Sequence, residues 1–251
     1  QLIMATLQDY RDERLRKLAE LKELGFNAYP ADTHRTHEIK RVIDEFSSLE
    51  GDEVTVAGRI MGLRKFGKLA FIVLRDQSGS IQLFLQGAAV ADTDATSGIV
   101  GIKQLSLLDT GDFIEATGEV MLTKTGEKSI GVKRLRLLTK SLRPMPTELT
   151  NIEERFRRRY VDMNVNVDVR ERFVRRSKFW QATRDFLNQR GFHEVNIPVL
   201  EHTTGGADAN PFVTHMDALG DQQFYLRISH ELPLKRLIGA GFEKVYDLGP
   251  R

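Results

Sequence analysis

The sequence predicts an α+β protein, with a five-stranded β-barrel in its first half and a second part built of helices and short strands. Three observations predict it. Between Glu53 and Leu138 apolar residues recur with a period of two, in successive runs separated by turn residues. Leu142-Arg143-Pro144-Met145-Pro146 breaks that pattern, because closely spaced prolines halt a strand and favour extended backbone. Beyond it the period lengthens: Phe179, Ala182, Phe186 and Leu187 recur as they do on one face of a helix.

Composition sets the bounds. A chain of 251 residues, 41% hydrophobic and 29% charged, has room for one large or two medium domains with ample core. A net charge of +2 says little about polyanion binding, which depends on where the charges sit. No apolar run reaches the length of a membrane span, and Gln1-Leu2-Ile3-Met4 lacks the basic start and long apolar stretch of a signal peptide. Met4 reads as the natural start. The lack of cysteine excludes a disulfide framework and a thiolate zinc site, and fits a cytoplasmic protein. Six scattered histidines show no metal-ligand spacing, and neither a Ser-His-Asp arrangement nor a phosphate loop is present.

In chain order, Leu7 to Leu24 reads as a charged helix with a narrow apolar stripe at Leu7, Leu15, Leu18 and Leu21, stopped by Gly25 and Pro30. Its face with Arg11, Arg14, Lys17 and Lys22 reads as solvated. In the first strand Val54, Val56 and Ile60 alternate with Thr55, Ala57 and Arg59. The second spans Leu69 to Leu74 and closes in a turn at Asp76-Gln77-Ser78-Gly79. In the third, Ile81, Leu83 and Leu85 alternate with Gln82, Phe84 and Gln86. A helical stretch near Ile102 to Leu108 precedes a fourth strand (Ile114 to Leu122), a turn at Lys124-Thr125-Gly126-Glu127 and a fifth strand. A phase slip between Val132 and Leu135 predicts a bulge near Lys133-Arg134. Three strands, a helix and two strands is the order of an oligonucleotide/oligosaccharide-binding (OB) barrel.

Alternation also predicts what faces away from the barrel core. With Ile81, Leu83 and Leu85 inward, Phe84 and Gln82 point outward, and with Ile72 and Leu74 inward, Phe71 points outward beside Arg75. Arg59 and Arg64 are expected on the same face. Aromatic rings flanked by amides and guanidiniums make a base-stacking platform.

Past the prolines, Thr147 to Tyr160 reads as a linker helix and Val161 to Val169 as an irregular polar connection. The run Arg155-Phe156-Arg157-Arg158-Arg159 has two readings: a solvated face paired with Glu153 and Glu154, or a contact with RNA phosphates. Arg170 to Asn188 reads as a long helix ended by Gly191, and Val195 and Ile197 as a short buried strand that Pro198 keeps from the middle of a sheet. The expected domains are a helical extension (1–48), the OB barrel (49–142), a linker (143–170) and a further domain from 171 to 251.

The segment Arg190-Gly191-Phe192-His193-Glu194-Val195-Asn196-Ile197-Pro198-Val199-Leu200 resembles the first signature motif of class II aminoacyl-tRNA synthetases. Gly205 to His215, Phe224 to Leu237 and Gly241 to Gly249 extend the match in order, and the whole is similar to the lysyl-tRNA synthetases from about Arg14 onward. The resemblance implies a catalytic domain with an antiparallel sheet and helices. It implies a ligase that activates L-lysine with ATP and Mg2+ and transfers it to tRNA(Lys), working as a homodimer. By the same resemblance Arg190, Gly191, Phe192 and Pro198 belong to the dimer interface. Gly206 lines the amino-acid site and Glu231 binds the substrate's α-ammonium. Arg64, Phe71 and Gln82 stand at positions that match the anticodon-binding face of that family, and Arg59 and Phe84, expected on the same face by alternation, are assigned to the anticodon with them. Arg134 departs from relatives that carry an acidic residue there. The second motif is expected to continue past Gly249, and the third to lie further on. The catalytic arginines of both motifs are therefore expected beyond Arg251, and the 251 residues alone are expected to be inactive. Two other readings stay open: an aspartyl- or asparaginyl-tRNA synthetase, and a non-catalytic RNA-binding or dimerisation module.

Overall fold

The structure, a computed structural model, describes residues 6–250. The expected start at Met4 and Arg251, past which the catalytic arginines are expected, both lie outside the described residues. Two compact units divide the chain, the first ending at Glu148 and the second beginning at Leu149.

In the first unit α1 (Leu7–Glu23) opens with a reciprocal cap: the Thr6 hydroxyl accepts from the Asp9 N–H, and the Asp9 carboxylate accepts from the Thr6 N–H. Leu18 and Leu21 are buried in the same core as the barrel, whereas Leu7 is exposed. The expected solvated face is corrected at two positions. Arg14 is 5% exposed and donates to the Thr110 and Ser141 carbonyls, and Lys17 pairs with Asp109 at 2.7 Å. Asp109 and Asp112 also hold the fully buried Lys140, at 2.5 and 2.8 Å. These cations tie the helix to the barrel, a nonlocal pairing that helical periodicity cannot reveal. Short helices α2 (Ile39–Asp44) and α3 (Phe46–Leu49) add Ile39, Val42 and Phe46 to the core.

The barrel is β1 (Glu53–Phe66), β2 (Leu69–Arg75), β3 (Ser80–Gln86), β4 (Phe113–Leu122) and β5 (Lys128–Thr139), closed in the order β1-β2-β3-β5-β4. A 3-10 turn at Gln104–Leu107 fills the expected helical stretch. Alternation sends Ile72, Leu74, Leu83, Leu85, Ile114, Ile130, Leu135 and Leu137 inward, each with no exposed surface. Truncating one to alanine costs about 2–5 kcal/mol. β5 is bulged at Lys133, where the pairing jumps from Thr117–Arg134 to Gly118–Val132.

The second unit departs from the expected outline. Helices α4 (Ile152–Arg157), α5 (Arg159–Val165) and α6 (Val167–Asn188) follow one another, so the stretch 161–169 is helical. Asp162 is the reason. Its fully buried carboxylate accepts from Arg155, Arg159 and Asn166, which folds a polar segment around one charge. Gly191 (φ 77°) turns the chain after α6, with the Phe192 N–H donating to the Leu187 carbonyl. The strand β6 is His193–Glu194, two residues ahead of the expected one, since Val245–Tyr246 pairs with those residues. Ile197 is buried nonetheless, and Val195 only half so. Beyond Pro198, β7 (Leu200–Glu201), β8 (Val213–His215) and β9 (Gln223–Leu226) form an antiparallel sheet in the order β7-β9-β8. Then come α7 (Glu231–Gly239) and β10 (Val245–Tyr246), the parallel partner of β6.

Candidate nucleic-acid and amino-acid sites

On the barrel, strand pairing lines up the outward side chains in rows. One row runs Arg64–Phe71–Phe84–Gly131 across β1, β2, β3 and β5; the next runs Gly62–Val73–Gln82–Ser129. Phe71 and Phe84 sit 5.4 Å apart, ring centre to ring centre, and both are half-buried. Gln82 donates to the Ser129 hydroxyl at 3.1 Å, which fixes its amide beside the rings. A Cβ at Gly62 would touch only Val73, whereas the Met121 sulfur occupies the space that a Cβ at Gly131 would take.

Arg59 and Arg64 share this face only because of an irregularity. They are five residues apart, which in a regular strand sends them to opposite sides. A register shift at Met61 between Ile60 and Gly62 restores the match, and Arg59 lies opposite Arg75. Arg59 is therefore at the other end of the platform from Arg64, its guanidinium 4.5 Å from the centre of the Phe113 ring. Burial, with Arg75 adding to it, pushes its pKa below the usual arginine value, yet an arginine stays charged at neutral pH. Arg134 lies beyond the bulge and pairs with Glu53 at 3.2 Å, outside the aromatic row.

Sequence reasoning missed Phe66. It is 62% exposed and stands edge-on to Phe71, with ring centres 6.4 Å apart. Its alternation with Arg64 was a usable signal. Ser129 and Gly131 were not findable that way, because their partners lie on a distant parallel strand.

The Arg155–Arg159 run resolves differently. Arg157 pairs with Glu153 and Arg158 with Glu154, each at 2.7 Å, as the solvated reading has it. Arg155 and Arg159 are held by Asp162, which that reading did not include. Burial alone raises the Asp162 carboxyl, but the hydrogen bonds from Asn166, Arg155 and Arg159 outweigh it and hold the group below the usual carboxylate range.

In the second unit, Gly206 and Glu231 are neighbours. Gly206 has φ 83°, and a Cβ there would come within 2.9 Å of the Glu231 Cβ and 3.0 Å of the Ser229 hydroxyl. Only glycine fits this approach. Glu231 opens α7, where the helix dipole favours a carboxylate, and Lys235 one turn on holds it at 2.5 Å. That lysine, four residues along, was also missed. Beneath them a buried cluster fixes the ends of β9 and β10. Arg227 is 4% exposed, donates to the Ile197 and Pro250 carbonyls, and pairs with Asp247 at 2.9 Å. His230 reaches the same Asp247 carboxylate at 3.3 Å. This structural ion pair accounts for Arg227.

Of the other expected residues, Arg190 lies flat on Phe186, its guanidinium 3.4 Å from the ring centre, and its carbonyl accepts from Lys244. Lys244 also covers Phe192, 5.8 Å from its ring centre. Pro198 lines a cleft of about 490 Å³ with Leu200, His202, Leu232 and Arg236. The α6 stripe that reads as amphipathic is not covered: Phe179 and Phe186 are 64% and 53% exposed. Among the described residues no three His, Asp or Glu side chains converge to hold a metal, and no helix is long and apolar enough to cross a membrane.

Residues 54–138 match the family described as OB-fold nucleic acid binding domain, and residues 151–251 that described as tRNA synthetases class II (D, K and N). The chain is 45% identical to a lysine–tRNA ligase of Trichormus variabilis, over 96% of this chain and 45% of that protein. It is 44% identical to those of Thermosynechococcus vestitus (98% and 49%) and Carboxydothermus hydrogenoformans (94% and 47%). The chain thus spans a little under half the length of the curated relatives it matches.

Proposed function

We propose, from the premise that the chain is homologous to the lysine–tRNA ligases of class II, that it serves that activity and that its barrel reads the anticodon of tRNA(Lys). The observation that carries the reading is the outward row Arg64–Phe71–Phe84 with Gln82 beside it. It supplies two rings for base stacking, an amide for a base edge and a guanidinium for a phosphate.

In the ligase reaction the lysine carboxylate attacks the α-phosphorus of ATP, an acyl–phosphate bond forms, and the bond to pyrophosphate breaks. A hydroxyl of the tRNA terminal adenosine then takes the aminoacyl group and AMP leaves. This chemistry rests on alignment and charge more than on covalent help. ATP enters as substrate with its Mg2+; no described residue is assigned to the ion or to the phosphates. What the chain contributes is the amino-acid side. Gly206 lets backbone close on the ligand, and Glu231 takes its α-ammonium in a charge-assisted bond. The ammonium replaces that of Lys235, so the carboxylate keeps a cation in both states.

The exposed apolar side of α6, with Arg190, Gly191, Phe192 and Pro198, is proposed as the surface of a homodimer, and the setting as the cytoplasm. The test is binding of the lysine-tRNA anticodon stem-loop by this chain, by fluorescence anisotropy. Salt-sensitive binding that prefers the native loop supports the reading, and equal affinity for a loop of scrambled anticodon overturns it.

A further inference from the structure

We propose that the β1–β2 hairpin tip extends the platform by one nucleotide: Phe66 stacks the base adjoining the one on Phe71, while Arg64, on the same side of β1, meets a flanking phosphate and Lys65 and Lys68 add positive charge at the tip. This deepens the anticodon reading and rests on it. The ligand is a single strand of RNA with splayed bases.

Three observations carry the inference. First, Phe66 continues the outward side of β1 one step past Arg64 and lies opposite Leu69, so it belongs to the same face as Phe71 and Phe84. Second, the ring geometry assigns it a base of its own. The Phe66 and Phe71 planes meet at 69°, so a base lying flat on Phe71 stands steeply across Phe66 and cannot stack on both. The ring centres are 6.4 Å apart, well beyond the roughly 3.4 Å per nucleotide of a stacked strand, which suits bases that are pulled apart and each given its own aromatic. Open space surrounds the turn: a Cβ built on Gly67 meets no atom within 4 Å.

Third, the cations here are unpaired. Among the described residues Arg64, Lys65 and Lys68 are exposed and make no side-chain hydrogen bond or ion pair. On several helix faces exposed arginine and lysine are matched to acids a turn away, as Arg16 is to Glu20, Lys40 to Asp44, Arg41 to Glu45, and Arg172 to Asp168; at the hairpin tip three unmatched cations fall within five residues of one exposed ring. Free ammonium and guanidinium groups beside an exposed ring favour an aromatic polyanion over an apolar partner.

The test uses the full chain and anticodon stem-loops carrying 2-aminopurine at each loop position in turn. Phe66→Ala is expected to weaken binding about tenfold and to remove the quenching of 2-aminopurine at one position, adjoining the position that Phe71→Ala affects. Phe66→Trp is expected to restore both. If Phe71→Ala weakens binding while Phe66→Ala leaves affinity and every quenching signal within twofold, the proposal is overturned and the anticodon reading stands. If Phe71→Ala is also without effect, the reading fails and takes the proposal with it. If Phe66→Ala weakens binding with no position-specific loss of quenching, or Phe66→Trp does not rescue, Phe66 only supports the hairpin and the proposal is overturned.

Discussion

Two regions of this chain look alike in sequence and behave differently in the fold. Arg155 to Arg159 is the densest run of positive charge, yet Glu153, Glu154 and Asp162 satisfy every arginine in it. The barrel face carries fewer cations, but Arg64 is unpaired and shares its side of the sheet with Phe66, Phe71 and Phe84, and Lys65 and Lys68 at the hairpin tip are unpaired as well. The lesson is that charge density does not make a polyanion site. A paired arginine gives up its own carboxylate contacts to take a phosphate, so the gain nearly cancels. An unpaired one releases only water and counterions.

The strongest way to break this comparison is to remove the rings. Phe71→Ala with Phe84→Ala is expected to weaken anticodon stem-loop binding by two orders of magnitude, at roughly 1–3 kcal/mol per lost stack. Isothermal titration with each variant checks it, and an affinity within threefold of wild type refutes it. Next in size is Arg64→Ala, for which a several-fold loss is expected, with the salt-dependence slope reduced by about one. By contrast, Arg157→Ala with Arg158→Ala is expected to leave affinity and salt slope unchanged, since both side chains are already neutralised on the surface. A drop matching that of Arg64→Ala would erase the distinction between the regions.

The smallest effect is on stability. Asp162 is held below the usual carboxylate range, so its contribution is complete above the unfolded value near pH 4, roughly, and is lost as pH falls through the lower folded value. Acid is therefore expected to loosen the helices around Asp162. Trp180, the only tryptophan, lies on α6 and reports it by fluorescence. Asp162→Asn is expected to remove this acid step. In the barrel the carboxylates oppose one another. Burial raises Asp109, but Lys140 and Lys17 outweigh it and depress the group, so it loses stability on acidification. Burial raises Asp112 despite Lys140, so it gains.

How much of this is legible in the sequence follows the same division. The barrel announces itself, because a closed sheet with one buried face imposes a strict period of two, and the outward rings follow by subtraction. The bulge at Lys133 is visible as a phase slip, whereas the one at Met61 is not, since nothing local to Arg59 and Arg64 marks the irregularity that puts them on one face. Gly206 and Glu231 stand out, but Lys235 beside them does not, although it is one helical turn away. Elsewhere the nonlocal partners decide. Asp162 turns 161–169 into helix by gathering two arginines and an asparagine. Val245–Tyr246 sets the pairing of His193–Glu194 against the local apolar pattern of Val195 and Ile197. Arg14 and Lys17 read as surface because their partners lie about a hundred residues away in sequence on the barrel.

The most direct measurement is photocrosslinking of an anticodon stem-loop that carries 4-thiouridine through its loop, with the attached peptide identified by mass spectrometry. The crosslinks are expected on peptides holding Arg64, Phe66, Phe71 or Phe84. Crosslinks confined to the peptide of Arg155 to Arg159 would contradict the assignment of RNA to the barrel face.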